Sequence, residues 1–233
     1  PEEEICCSYN EHQLYPAASL IKLAILLDYY SSVEQGFLDP LQKIAIDPDQ
    51  IVGGTGILQA LSPGCQMTLQ DLATLMIIVS DNSATNILID RLTIPKINKT
   101  IKSFDLSETI LKRKMLDWGA REKGLENMTS AADMANLLAI FLTSERLSEG
   151  SKAGIFEILS KQCFQHKLPA QTPVHALWAH KSGQLPDVEH DAGILKVDEK
   201  RLIVVVLTAA PETTNEGVRL IGDIGRIAYL ATQ

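Results

Sequence analysis

Apolar residues recur at helical spacing through most of the first two thirds of the chain. Over residues 18–30 they are so dense that the pattern predicts a helix buried nearly all round. Thr68, followed three residues later by Asp71, is typical of an N-terminal helix cap, and the helix that it begins is predicted to run up to Val79. Ser80-Asp81-Asn82 then interrupts the helical pattern. Further helices are predicted over residues 84–92, 130–142, 152–160 and 216–231.

The pattern changes after Pro173, where strand-forming residues replace the helical spacing. Short turn sequences separate three β-compatible segments, residues 176–184, 187–197 and 201–210. Because such short connections join antiparallel strands, the three segments are predicted to form an antiparallel meander. Near the N-terminus, alternation at Ile5 and Tyr9 and a turn at Asn10-Glu11-His12 predict a short strand and turn over residues 4–15.

This order of elements predicts an α+β fold (an α/β sandwich), in which an antiparallel sheet with flanking helices carries an inserted all-helical subdomain. We expect one domain over residues 1–233. Its sheet part would comprise residues 1–17 and about 174–233, and its helical part about 18–173. The N-terminal strand would share the sheet of the meander, and an active site would lie at the seam between the two parts.

Composition and charge exclude several classes of protein. Apolar residues make up 45% of the chain and charged residues 21%, as in soluble globular proteins. The net charge of −8 disfavours binding to nucleic acid or to anionic lipid. The longest apolar run, residues 202–210, is too short to span a bilayer. The four cysteines lack CxxC spacing, so we expect no metal site, and no motif indicates a cofactor.

Two segments without regular periodicity are candidates for the edge of a site. Gly53-Gly54-Thr55-Gly56 has no preceding strand and no βαβ context, so a turn beside a cleft is favoured over a phosphate-binding loop. The polar stretch from Leu116 to Thr129 is predicted to be a long surface loop of the kind that often carries function.

Ser19 and Lys22 place a hydroxyl and an amine on the same face of the first turn of the apolar helix. This spacing suits a nucleophile beside its base, because an apolar helix can desolvate the lysine and so lower its pKa. By itself the spacing favours a capping serine and a surface lysine over a catalytic pair.

Two further motifs give this pair its context. Ser80-Asp81-Asn82 lies where a helix is interrupted, and Lys181-Ser182-Gly183 lies late in the first strand of the meander. In this order, SxxK, SDN and K[ST]G form the signature set of class A β-lactamases and penicillin-binding proteins. The segments around the motifs also match, so the chain resembles this family of penicillin-recognising active-site serine hydrolases over nearly its whole length. The family usually has a helix and a strand ahead of this segment, so the N-terminus is expected to be shortened.

The resemblance implies a role for each motif residue. Ser19 would attack a carbonyl, Lys22 would accept its proton with help from the charge of Lys181, and Ser80 would relay a proton to the leaving nitrogen. The backbone N–H groups of Ser19 and Gln184 would form an oxyanion hole. Substrate binding would fall to the side chains of Asn82 and Ser182, to Lys181 and to the close backbone approach that Gly183 allows.

The sequence departs from the family where the deacylating base is expected. The family's glutamate and asparagine lie four positions apart, whereas Glu122 and Asn127 lie five apart here, with Glu126 as a second acidic residue. Glu122 is therefore a candidate catalytic base and equally a solvated loop charge.

Three functions follow from the resemblance. The first is an acyl-serine hydrolase like the class A β-lactamases, the second a penicillin-binding DD-peptidase or esterase with slow deacylation, and the third a non-catalytic ligand-binding domain on the same fold. A Ser-His-Asp triad that uses His180 or His190 with Asp191 stays open as an alternative chemistry. The expected partner is a small-molecule or peptidoglycan-like substrate, with no nucleic acid and no membrane span. The family resemblance alone favours an exported protein.

Overall fold

The computed structural model describes residues 7–209 and 213–233 of the chain. The helices are α1 (Ile21–Glu34), α2 (Leu69–Ile78), α3 (Asn82–Leu92), α4 (Ile94–Ser103), α5 (Trp118–Glu122), α6 (Ala131–Thr143), α7 (Glu149–Ser160) and α8 (Thr214–Ala231). The strands are β1 (Tyr15–Pro16), β2 (Lys43–Ala45), β3 (Gln66–Thr68), β4 (Met128–Thr129), β5 (Leu177–Leu185), β6 (Val188–Val197) and β7 (Lys200–Leu207).

Helix α1 is the centre of the helical part. Every residue from Ile21 to Ser32 is buried, and α2, α3, α4, α6 and α7 all contact the helix. A helix that is apolar all round must be covered on every side, which explains why five helices surround it. The prediction of a helix buried nearly all round is confirmed, and the helix runs on to Glu34.

The meander is confirmed as a three-stranded antiparallel sheet in the order β5-β6-β7. Side chains alternate between its two faces, as strand geometry requires. Ala179 and Ile194 face the core formed with the helical part, whereas Trp178 and Leu195 face α8 in a second apolar cluster. The sheet is thus covered by helices on both faces, which confirms the predicted α+β fold.

Caps fix where the helices begin. The predicted cap at Thr68 is present and forms a capping box with Asp71 at the start of α2, with each side chain bonded to the other residue's backbone N–H. Asp81 caps α3 by accepting a hydrogen bond from Ala84 N at 2.9 Å. These two caps place the Ser80 segment at the junction between α2 and α3.

The predicted N-terminal strand is wrong in its described part, and residues 1–6 lie outside the described residues. Residues 7–14 form no strand, and Tyr9 is 88% exposed, so the alternation there does not mark a buried face. The predicted turn is present, since Gln13 N donates to Asn10 O at 2.9 Å. The chain then pairs through β1 with β4 rather than with the meander. A side-chain bond from His190 Nε2 to Pro16 O links this segment to β6 instead.

One apolar core joins the two predicted parts of the chain. It contains buried residues of α1, α2, α3, α4, α6 and α7 together with Ala179, Ala192 and Ile194 of the sheet. We infer that the described chain folds as one domain, because the sheet and the helices bury their apolar faces against each other. Among the described helices, none is both long enough and apolar enough to cross a membrane.

Replacing Leu26 of α1 by alanine should lower the free energy of unfolding by about 2–5 kcal/mol, because Leu26 is fully buried and its truncation leaves a cavity. Urea denaturation followed by circular dichroism measures this change. Leu41→Ala is the matched control, because Leu41 is 73% exposed and its change should stay within about 0.5 kcal/mol. Equal losses in the two variants would contradict the central position of α1.

Candidate active site

A cavity of about 510 Å³ opens where the start of α1 meets the end of β5. Six of the predicted site residues line it: Ser19, Ser80, Asn82, Ser182, Gly183 and Gln184. Lys22 and Lys181 are fully buried next to these residues. The structure therefore gathers the three sequence motifs in one place, whereas Glu122 does not line the cavity.

Ser19 lies in a short 3₁₀ turn, Ala18–Leu20, that leads directly into α1. The segment is held in place by a hydrogen bond from Ala17 N to Asn127 O at 2.7 Å. Ser19 itself is half-buried, so its side chain is accessible from the cavity. This position at the start of a helix gives the hydroxyl both a fixed location and access to a ligand.

Lys22 connects the first motif to the second. Its Nζ lies 2.9 Å from Ser80 Oγ, 2.8 Å from Ser80 O and 2.9 Å from Asn82 Oδ1. Burial lowers the pKa of Lys22 well below its usual value, and the nearby positive charge of Lys181 lowers it further. Asp81 opposes this shift. The amine is thereby made easier to deprotonate while it stays in contact with a hydroxyl.

Asp81 holds the wall around Ser80. Its Oδ2 accepts hydrogen bonds from Ile57 N at 2.7 Å and Leu58 N at 2.9 Å, while its Oδ1 caps α3. Thr55 Oγ1 donates to Ser80 O at 2.7 Å. A single carboxylate thus binds the loop before β3 to the segment that carries Ser80.

The glycine-rich loop is the predicted turn beside the cleft. A Cβ on Gly56 would lie 2.3 Å from Asp81 Oδ2, and one on Gly54 would lie 2.7 Å from Asn82 Nδ2. Both glycines also have positive φ, +122° at Gly56 and +77° at Gly54. The loop can approach Ser80-Asp81-Asn82 this closely only because these positions carry no side chain.

Backbone strain occurs at three non-glycine residues of the cavity wall. The φ angles are +48° at Ala18, +53° at Ser80 and +60° at Leu116. Such conformations cost roughly 1–3 kcal/mol each and persist only where the surrounding structure enforces them. Ser80 is itself a predicted catalytic residue, and Ala18 directly precedes another, Ser19.

Lys181 brings a second amine close to Lys22. Burial is the main cause that lowers its pKa to about 7, while Asp191 raises the pKa and Lys167 lowers it. Its Nζ donates to Ser182 O at 2.7 Å. The charge of Lys181 in turn opposes protonation of Lys22.

Gly183 brings strand β5 against the start of α1. A Cβ at this position would lie 3.3 Å from both Ser19 N and Ala18 Cβ. The predicted close backbone approach is therefore present. It puts the Gly183–Gln184 segment beside the N–H group of Ser19.

The loop between residues 116 and 129 does not bring Glu122, the predicted candidate for the catalytic base, to the cavity. This residue ends the short helix α5 and is exposed, outside the cavity wall. Glu126 lines the cavity instead, where its Oε1 lies 2.8 Å from Arg113 Nη2 and its Oε2 lies 2.9 Å from Arg121 Nε. The helical turn of α5 rotates Glu122 outwards, a change that counting along the chain does not detect.

Asn127 is used to hold the same loop. Its Oδ1 accepts hydrogen bonds from Lys112 N at 2.7 Å and Arg113 N at 3.0 Å. Its Nδ2 donates to Arg113 O at 3.1 Å. The side chain therefore stabilises the loop rather than presenting a free amide to the cavity.

The histidine alternative is not supported by the contacts. His180 Nδ1 lies 2.9 Å from Asp191 Oδ1, but its Nε2 lies 3.4 Å from Gln165 Nε2 and not against a serine hydroxyl. Both His180 and Asp191 are fully buried. His190 contacts Glu189 O and Pro16 O through its two ring nitrogens. Both histidines therefore stabilise the sheet.

Within residues 7–209 and 213–233, no group of three or more His, Cys, Asp or Glu side chains is arranged to hold a metal ion.

Sequence reasoning missed several residues of the cavity wall. They are Arg113, Met115, Phe164, His166 and Lys167. Their positions follow from loop paths and strand register, and no motif in the sequence marks them.

Comparisons with known proteins agree with this geometry. The model of the β-lactamase enzyme family matches residues 2–232. The β-lactamase VEB-1 of Pseudomonas aeruginosa is 24% identical over 92% of this chain and 77% of its own length. A β-lactamase structure from Sphaerobacter thermophilus is 29% identical, with a TM-score of 0.89 over 96% of this chain and 85% of that one. A PBP-A variant, solved as an acyl-enzyme complex with penicillin G, is 30% identical, with a TM-score of 0.87 over 97% and 84%.

The fold is that of the class A β-lactamases. The chain belongs to the β-lactamase enzyme family. Its function is accordingly β-lactamase-like, that of a hydrolase acting on the amide bond of β-lactams.

Replacing Lys181 by methionine should change how stability depends on pH. The pKa of Lys181 is lowered to about 7 in the folded protein, so above that pH the unfolded chain binds a proton that the folded chain has lost. The free energy of unfolding of the unmodified protein should therefore rise with pH relative to Lys181→Met, by up to ~1.4 kcal/mol per pH unit. Urea denaturation at several pH values from about 7 to 9 measures the difference.

Lys43→Met is the control for this experiment, because it removes a lysine that is exposed on β2. Its stability difference from the unmodified protein should keep the same value across the pH series. If the difference in free energy of unfolding between the unmodified protein and Lys181→Met does not change with pH, the amine of Lys181 is not desolvated in the folded protein.

Proposed function

We propose that the chain acts through an acyl-serine intermediate, with Ser19 as the nucleophile that opens a β-lactam or a related amide bearing a carboxylate. The observation that carries this proposal is the position of Lys22, a buried amine with a lowered pKa one helical turn from Ser19 and 2.9 Å from Ser80 Oγ. A neutral amine there can accept a proton from one hydroxyl and pass it towards another.

In the acylation step, Ser19 Oγ forms a bond to the carbonyl carbon and its proton moves to Lys22 Nζ. The negative charge on the carbonyl oxygen is stabilised by the N–H groups of Ser19 and Gln184. The bond between the carbonyl carbon and the nitrogen then breaks, and the proton passes from Lys22 through Ser80 Oγ to that nitrogen. Ser19 is left as an ester, and atoms and protons balance.

The remaining residues bind the substrate in this proposal. Ser182 lines the cavity and Lys181 lies behind it, so a substrate carboxylate near Ser182 experiences the charge of that lysine. Asn82 supplies an amide to the same cavity while its Oδ1 contacts Lys22. We assign to Asn82 the binding of the substrate's amide group, as the motif implies.

The carboxylates of the cavity favour a second candidate, a penicillin-binding DD-peptidase or esterase that releases its acyl group slowly. Among the described residues that line the cavity, Glu126 is the one carboxylate, and both of its oxygens pair with arginines. The neighbouring wall is apolar at Met115 and Leu116. A positioned base contributes about 10²–10⁴-fold to such a hydrolysis, so its absence would leave the ester long-lived.

Incubation with penicillin G should attach one ring-opened penicillin, with the full mass of the drug, to the peptide that contains Ser19, detected by mass spectrometry of the digested protein. Ser19→Ala should give no adduct, and Lys22→Ala should acylate at least ~100-fold more slowly because the general base is lost. Ser62→Ala is the matched control, because Ser62 is exposed outside the cavity wall and its loss should leave acylation unchanged. An adduct that persists in Ser19→Ala would overturn the proposal.

Release of the acyl group should be the slow step, visible as a stoichiometric burst of nitrocefin opening followed by turnover at least ~100-fold slower. Glu126→Gln should lower stability, since it breaks the contacts with Arg113 and Arg121, and leave the release rate nearly unchanged.

Glu122→Ala alters an exposed residue and serves as the control for Glu126→Gln. It should change neither the rate of acylation nor the rate of acyl-group release. Rapid turnover that collapses in Glu126→Gln would instead identify Glu126 as the deacylating base and establish an efficient β-lactamase.

A further inference from the structure

Lys167 is a buried lysine that the mechanism above does not use. It lies on the connection between α7 and β5 and is only 1% exposed, at the back of the cavity wall. Its Nζ donates hydrogen bonds to Gly183 O at 2.7 Å and to His190 O at 3.0 Å. One ammonium group thus bridges facing residues of β5 and β6, since Gly183 pairs with His190 in the sheet.

The ammonium group is held there by a buried counter-charge. Glu189 Oε2 lies 2.7 Å from Lys167 Nζ, and both side chains are 2% exposed. Two of the three N–H groups of Lys167 donate to the two carbonyl oxygens, and the same nitrogen lies against Glu189 Oε2. The ion pair keeps the lysine in place, while its hydrogen bonds act on the sheet.

The bond to Gly183 O acts on one particular peptide unit. A peptide group is planar and trans, so the carbonyl of Gly183 and the N–H of Gln184 point in opposite directions from the same rigid plane. Gly183 O is turned towards Lys167, and Gln184 N–H is therefore turned away from it, at the edge of β5 that lies beside Ser19 N. A charged donor on the carbonyl also polarises the peptide group and strengthens its N–H as a donor.

We propose that Lys167 is a positioning residue for the oxyanion hole, acting through the Gly183–Gln184 peptide group. It fixes the direction of the Gln184 N–H and makes that group a better donor to the carbonyl oxygen of the substrate. This inference rests on the proposed acyl-serine function for its effect on rate, whereas its effect on the peptide group does not require a substrate.

Three measurements on Lys167→Met test the proposal. In the free protein, the ¹H and ¹⁵N chemical shifts of the Gln184 amide should change. In the penicillin acyl-enzyme, the infrared band of the ester carbonyl should move to higher wavenumber, because weaker hydrogen bonds polarise the carbonyl less. Acylation should slow about tenfold, less than the ~10²–10³-fold caused by removing an oxyanion donor outright.

Lys96→Met is the matched control. Lys96 also pairs with a buried carboxylate, that of Asp28 at 2.8 Å, but this pair joins α4 to α1 outside the wall of the active-site cavity. The variant Lys96→Met should keep the Gln184 chemical shifts, the infrared band of the ester carbonyl and the acylation rate of the unmodified protein. The double variant Lys167→Met with Glu189→Met replaces the ion pair by apolar side chains, a change that is often neutral for stability, and so supplies folded protein if the single variant unfolds.

The proposal is overturned if a folded Lys167 variant keeps the Gln184 shifts, the ester band and the acylation rate of Lys96→Met. Failure of the acyl-serine function looks different, because the unmodified protein would then form no adduct with penicillin. In that case, the Gln184 shifts of the free protein still decide whether Lys167 controls the peptide group.

Discussion

Two lysine amines lie buried where α1 meets β5, and neither can be removed from water without compensation. Lys22 contacts Ser80 and Asn82, and Lys181 donates to Ser182 O. Desolvation lowers the pKa of both amines, and the charge of Lys181 lowers that of Lys22 further. A stable arrangement therefore needs polar acceptors at fixed positions, and the elements around the cavity supply them.

The helical part and the sheet contribute to this arrangement in different ways. Helix α1 is covered on all sides, so its first turn is held rigidly and Lys22 cannot reach solvent. The sheet brings Lys181 and Gly183 against that turn. Groups that must be held to within a fraction of an ångström are thus carried by the most deeply packed elements of the molecule.

Much of this architecture is readable from the sequence because local rules decide it. The density of apolar residues after Ser19 identifies α1, and the change of period after Pro173 identifies the meander. The spacing of Ser19 and Lys22 places both on one helical face, which holds wherever the helix packs. These features depend on neighbours in the chain and hardly at all on distant contacts.

The features that the sequence did not predict correctly depend on contacts between residues that are distant in the chain. Alternation around Tyr9 resembles a strand, but an 88% exposed side chain has no face to bury. The spacing that indicates Glu122 lies in a loop whose path depends on α5 and on the contacts of Glu126 with two arginines. Lys167 belongs to no motif, and its importance appears only once β5 and β6 are aligned in register.

The contacts of Asp81 have a consequence for local unfolding. Its carboxylate binds the amides of Ile57 and Leu58 and also caps α3. Opening of the glycine-rich loop therefore breaks bonds to the same side chain that starts the helix. The loop and the first turn of α3 should exchange their amide hydrogens with solvent as one cooperative unit.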